Sequence, residues 1–172
     1  MCGSIGCGPI RELTEELSLR LAPQQELTVV CGGNEELHAK LQKRFGDDRH
    51  MHIHGLVDNV PQLMHSADLF ITKPGGLSTT EAAACGLPMV LMDTVAGCEG
   101  HNLTFFLQRG GAVTADTPRL LADTAMALLA DPERLRAMSD ALRPAEAQTP
   151  AEQIYDCLCR PQTRLDTAQR YA

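Results

Sequence analysis

Ile71-Thr72-Lys73-Pro74-Gly75-Gly76-Leu77-Ser78-Thr79-Thr80-Glu81-Ala82 is the stretch on which the fold turns. A strand ends, a glycine pair turns the chain, and a helix opens on Ser78, Thr79 and Thr80. Small residues let a ligand approach the backbone closely, and free N–H groups at a helix N-terminus favour an anion. Hydroxyls at the same place add donors for phosphate oxygens. Glu81, about a turn further on, faces a phosphate unfavourably but can accept hydrogen bonds from ribose hydroxyls. The same spacing suits a plain glycine turn before a helix in any α/β protein. Phosphate binding and simple turn geometry therefore stand side by side at this point.

Strand and helix signals alternate outward from this stretch. Short apolar or β-branched runs at 26–31, 50–54, 69–72, 89–92 and 112–114 read as strands. Helices are expected near 9–21, from an Asn34 cap to Phe45, and at 60–66, 78–85 and 101–109, with Leu37, Leu41 and Phe45 sharing one face. That rhythm means parallel strands joined by crossover helices, hence a Rossmann-like, doubly wound α/β sheet. The last third is helical. Thr117-Pro118, Asp131-Pro132 and Thr149-Pro150 each place a capping residue before a proline at the first helical position, and Glu152 completes a capping box with Thr149. Residues 1–145 are expected to form the binding domain, and 146–172 a C-terminal helix and polar tail.

Composition excludes several classes. The 172 residues carry 22 acidic and 15 basic side chains, a formal charge of −7, which argues against a sequence-independent hold on nucleic acid. Only 3% is aromatic and there is no Trp, so stacking platforms for bases are not expected. No apolar run approaches the ~18–20 residues that span a bilayer. The seven cysteines are scattered without a disulfide framework and read as reduced thiols; Cys157 and Cys159 lack a second pair to complete a zinc site. His50, His52 and His54 would share one face of a strand, and a solvated edge strand explains them better than a metal. Lys73 can neutralise a phosphate or simply be solvated, while His65 and His101 read as packing or surface residues.

Two further glycine clusters matter. Gly3-Ser4-Ile5-Gly6-Cys7-Gly8-Pro9 precedes a helix with the composition of a phosphate loop, but without dinucleotide-fingerprint or Walker spacing. Cys31-Gly32-Gly33-Asn34 follows the strand at 26–31. Turns at the ends of parallel strands open on one edge of the sheet, where ligands bind.

These residues resemble the C-terminal, donor-binding domain of GT-B glycosyltransferases, in particular the monogalactosyldiacylglycerol synthase and processive diacylglycerol glucosyltransferase group (glycosyltransferase family 28 type). The matching stretches are Gly6-Cys7-Gly8-Pro9-Ile10, Cys31-Gly32-Gly33-Asn34, Gly55-Leu56-Val57, Met64 to Asp68, Ile71 to Gly76, Thr80-Glu81-Ala82, Gly86-Leu87-Pro88, Ala96-Gly97, and Glu99 with Asn102. The resemblance implies a UDP-hexose held in a cleft between two domains. Gly6 and Gly8, with the turn from Gly75 and Gly76 to Ser78 and Thr79, would flank the diphosphate beside Lys73. Gly55, Leu56 and Val57 would lie along the uracil, and Glu81 would take the ribose. Gly97, Cys98, Glu99 and Asn102 would fall at the donor sugar. The family usually carries Gln-Glu where this chain has Cys98-Glu99, and a thiol replaces an amide poorly in bonding to sugar hydroxyls.

The implied reaction is inverting transfer of the hexose to a diacylglycerol-type lipid, with UDP-sugar as substrate and no cofactor or metal. No catalytic residue is expected in this chain, because the base and the lipid site belong to an N-terminal acceptor domain or partner subunit. The isolated chain should therefore bind donor and transfer poorly or not at all. The whole enzyme would be cytoplasmic and peripheral at the inner face of the membrane. A non-catalytic nucleotide-sugar-binding or interaction module is the alternative. In related sequences an apolar strand precedes the Gly6-Cys7-Gly8-Pro9 loop and is central to the sheet. Upstream sequence, a swapped or neighbouring segment, or marginal stability is expected in consequence.

Overall fold

Helix starts are written in side-chain hydrogen bonds. Asn34 accepts from the Leu37 N–H at 3.0 Å, Thr117 from Leu120 at 3.2 Å and Asp131 from Arg134 at 3.0 Å. Each satisfies a donor that the first helical turn leaves without an intrahelical partner. The computed structural model of the chain describes residues 1, 3, 6, 8–92, 98–143 and 150–159. Thr149, the remaining expected cap, and the tail from 160 to 172 lie outside them.

The elements follow in the order α1 (Ile10–Ser18), β1 (Leu27–Val30), α2 (Glu35–Phe45), β2 (Met51–His54), α3 (Val60–Ser66), β3 (Phe70–Thr72) and α4 (Gly76–Ala84). Then come β4 (Met89–Met92), α5 (Cys98–Arg109), β5 (Ala112–Ala115), α6 (Pro118–Leu129), α7 (Pro132–Leu142) and α8 (Pro150–Cys159). Every strand pairing among the described residues is parallel: β1 with β2, β3 with β4, and β4 with β5. Short strands joined by helices leave no other pairing open, since parallel neighbours need a crossover. α4 and α5 begin earlier than the expected 78 and 101: Gly76, read as part of the turn, opens α4, and α5 takes in Cys98, Glu99 and Gly100.

Helices cover both faces of the sheet. β4 sits between them, with Val90 and Met92 in one apolar cluster and Met89 and Leu91 in the other. The first cluster gathers Leu13 and Leu17 of α1, Leu41 and Phe45 of α2, and Leu121 and Leu128 of α6; the second gathers Met64 of α3, Ala82 of α4 and Phe106 of α5. A strand buried on both faces reads as a continuous apolar run, and Met89–Met92 is one.

The sheet is in two pieces, β1-β2 and β3-β4-β5, among the described residues. Between β1 and β3 lies an apolar slot of about 510 Å³, roofed by α1 and α6 and floored by α3, with Met1 at its wall. This is the place that the doubly wound strand order assigns to a central strand. At the opposite edge β2 pairs with β1, and His52 bonds Glu26 at 3.0 Å while His50 bonds the Gln25 carbonyl at 3.1 Å. Among the described residues no three His, Cys, Asp or Glu side chains group as a metal site, and no helix is long and apolar enough to cross a membrane.

Candidate functional site

The three glycine turns meet at the C-terminal edge of the strands. Gly6 has φ +56° and packs so tightly on the turn after β1 that a Cβ there would collide with the Cys31 carbonyl oxygen. Asn34 holds the same contact from its side chain: its Nδ2 donates to the Gly6 carbonyl at 3.1 Å while its Oδ1 caps α2. Gly8, at φ +99°, has open space around its Cα. A Cβ on Gly3 would lie 3.5 Å from Cε of Lys73, which joins this loop to the turn after β3.

That turn is gripped from the other side by α5. Lys73 Nζ donates to Glu99 Oε1 at 2.6 Å, and Asn102 Nδ2 donates to the Pro74 carbonyl at 3.0 Å. Both side chains of the Lys73–Glu99 pair remain about a quarter exposed (27% and 26%), so the pair borders solvent rather than the core. Gly75 is the N-cap of α4 and offers no side chain to cap it. The N–H groups of Gly76, Leu77 and Ser78 thus open the helix without a side-chain acceptor, which is the geometry that takes an anion. The Ser78 hydroxyl makes no hydrogen bond among the described residues.

Thr79 departs from expectation. It is fully buried, its hydroxyl donates to the Gly75 carbonyl at 2.8 Å, and its N–H donates to the same oxygen at 3.1 Å. A threonine inside a helix readily bonds back to the preceding turn, and both of its donors are then spent. Thr79 stiffens the glycine turn and offers no hydroxyl to a phosphate. Thr80 does the same, to Gly76 at 2.7 Å.

Gly55, Leu56 and Val57 leave the end of β2, next to β1 on the same sheet edge; Gly55 approaches the His38 ring and Leu56 is 76% exposed. Glu81 is exposed on α4 with no ion pair among the described residues. Gly97 lies outside the described residues, and of Cys98 only the backbone, as the first residue of α5, is described. Sequence reasoning missed the Asn34–Gly6 bridge and the Lys73–Glu99 pair. Only the opposite charges of the second pair, both already assigned to one site, pointed to it.

Residues 9–131 match the family model described as glycosyl transferases group 1. The chain belongs to the group 1 glycosyl transferases. This glycosyl transferase domain is 35% identical over 155 residues to a processive diacylglycerol beta-glucosyltransferase of Bacillus cereus (strain B4264), covering 88% of the chain and 39% of that relative. It therefore spans well under half the length of the curated protein it resembles. Among solved structures, Acinetobacter baumannii MurG aligns with a TM-score of 0.68 at 20% identity, over 90% of this chain and 47% of that one. The S. aureus MnaA–UDP co-structure aligns with a TM-score of 0.69 at 19% identity, over 89% and 42%. At such identities these two likenesses speak for the fold: a GT-B half-domain of parallel strands and alternating helices with a helical C-terminus.

Proposed function

We propose that this domain is the donor-binding half of an inverting glycosyltransferase that moves a hexose from a UDP-sugar to a diacylglycerol-type lipid. The observation that carries the reading is that the glycine loop touches both neighbouring turns, through Gly6 on Cys31 and Gly3 beside Lys73, next to the uncapped N-terminus of α4. The diphosphate lies between the Gly6–Gly8 loop and the first turn of α4, contacted by the N–H groups of Gly76, Leu77 and Ser78. Charge that develops on the departing UDP is taken up by these amides, by the helix dipole and by the Lys73 ammonium. Glu99 holds Lys73 in position at that point. Glu81 accepts from the ribose, the segment Gly55–Val57 borders the uracil through its backbone, and Glu99 with Asn102 borders the sugar. Thr79 supports the turn from within.

Removal of the acceptor's proton is left to a group outside this chain, in an acceptor domain or partner subunit that also holds the lipid. The relative named for diacylglycerol glucosylation, and the neighbour solved with UDP, support the substrate class. The whole enzyme then works at the inner face of the cytoplasmic membrane as a peripheral protein. Calorimetric titration with UDP, UDP-glucose and UDP-galactose tests the reading. Binding of UDP with a gain for one UDP-hexose is expected, together with no lipid glycosylation by the chain alone. Binding of UDP without any gain from the sugar points to a non-catalytic nucleotide module, and no UDP binding at millimolar concentration overturns both.

A further inference from the structure

Three uncharged polar side chains are buried among the described residues, those of Thr14, Thr72 and Thr79. The Thr14 hydroxyl donates to the Ile10 carbonyl at 2.7 Å, and that of Thr79 to the Gly75 carbonyl. Thr72, which ends β3, is 0% exposed, and its hydroxyl has no hydrogen-bond partner among the described residues. A hydroxyl unpaired and away from water is costly, and a valine would fill the same space without that cost. Such a group calls for a second state in which it is paired.

Two local routes to a partner are closed. Thr72 lies opposite Leu91 of β4, and Thr114 of β5 lies opposite the same residue from the other side. Thr114 gives its hydroxyl to the Leu91 carbonyl at 2.7 Å, and Met89, two residues earlier, donates to the Gly111 carbonyl at 3.1 Å. Backbone groups alternate between the two sides of a strand, so the Leu91 carbonyl points to β5 and away from Thr72. The other route is a turn in which the hydroxyl accepts from the N–H two residues on. That residue is Pro74, which has no N–H.

Side chains alternate faces along a strand, so Thr72 shares the face of Phe70, which packs on the cluster holding Ala82 of α4 and Phe106 of α5. Asn102, one turn before Phe106, donates its Nδ2 to the Pro74 carbonyl at 3.0 Å. The two adjoining carbonyls are held within the turn and α4: that of Lys73 by the Gly75 N–H at 2.8 Å, that of Gly75 by Thr79. Of the three, Pro74 alone depends on a side chain that also borders the sugar in the function proposed above.

We propose that Thr72 is a positioning residue for the donor sugar: when the Asn102 amide turns to a sugar hydroxyl, the Thr72 hydroxyl donates to the Pro74 carbonyl in its place. The proposal rests on the donor-binding reading, which sets Asn102 beside the sugar. One hydrogen bond replaces another, so the turn and the first turn of α4 keep their shape while Asn102 is drawn off. The hydroxyl is unpaired before the exchange and paired after it, and its cost in the first state becomes a preference for the second. Fully buried, Thr72 acts through Pro74 and Asn102 and touches no ligand itself.

The test compares the chain with its Thr72→Val and Thr72→Ser variants by melting without nucleotide and by calorimetric titration with UDP, UDP-glucose and UDP-galactose. Thr72→Val is expected to melt about 3 °C higher, because the unpaired hydroxyl is gone. It should bind UDP within about twofold of the parent yet lose about fivefold of the affinity that the preferred hexose adds. Thr72→Ser, which restores the hydroxyl, should keep that gain. A Thr72→Val variant that melts no higher than the parent, or that keeps the full sugar gain, overturns the proposal. Equal losses for UDP and UDP-hexose, or a Thr72→Ser variant no better than Thr72→Val, overturn it too. A parent chain that gains nothing from either hexose defeats the donor-binding reading and the proposal together, whereas a parent gain that Thr72→Val retains defeats the proposal alone.

Discussion

β4 and the facing edges of β1 and β3 belong to one layer of the fold, yet they live in different surroundings. All four residues of β4 are buried, with Met89, Val90 and Leu91 at 0% exposure, while Thr28 in β1 is exposed and Phe70 and Ile71 in β3 are only half-buried. Composition and neighbours differ together: β4 is Met-Val-Leu-Met with a strand on each side, while β1 and β3 each carry a threonine and have one neighbour among the described residues. A strand flanked on both sides and both faces is held by every contact at once. A strand flanked on one side relies on its helices. β4 is therefore the strand held from every side, and the Gly6 loop packs on the half around β1.

The comparison is open to direct attack. Leu91→Ala removes a fully buried side chain between β3 and β5 and is expected to cost about 3 kcal/mol in urea unfolding. Thr28→Ala on the slot edge should stay within about 0.5 kcal/mol; equal losses would erase the distinction between the halves. A smaller effect separates two glycines of the Gly6 loop. Gly6→Ala must clear the Cys31 carbonyl at a positive φ and should cost UDP affinity about tenfold, roughly 1.4 kcal/mol. Gly8→Ala meets no atom within 4 Å and pays only the backbone strain, so a loss as large as that at Gly6 would count against the packing of the two turns.

The mildest probe is a thiol. Burial at the end of β1 pushes the Cys31 thiol above its ordinary value, so it holds its proton through pH 8, where the thiolate needed for alkylation is scarce. Exposed Cys157 on α8 should react with iodoacetamide at pH 8 well before Cys31, followed by mass spectrometry of the peptides. Comparable rates would mean that the β1 half opens far more readily than its burial implies.

Much of this is legible in the sequence. The five strands and the capped helices at Asn34, Thr117 and Asp131 follow from local rules that act within a few residues, and those rules carry over to the fold unaltered. The shared edge of the glycine turns was legible too, because parallel strands leave no other arrangement. What failed to show was contact between distant segments. Thr79 looks like a phosphate donor in the sequence, yet its rotamer turns the hydroxyl to Gly75. Lys73 and Glu99 were both assigned to the site, but that they meet each other at 2.6 Å depends on how α5 lies across the turn after β3. Asn34 reads as a helix cap and nothing in its neighbourhood announces a second partner 28 residues away.

That second partner ties the glycine loop to the first turn of α2. One amide group caps the start of α2 with its oxygen and fastens the glycine loop with its nitrogen. Any movement that lifts the Gly6 carbonyl leaves the amide free to rotate, and a rotated amide no longer caps Leu37. The Leu37 amide resonance is consequently a built-in signal lamp for the loop: it reports from the outer helix whether the Gly6 turn is seated, without a label placed in the turn itself.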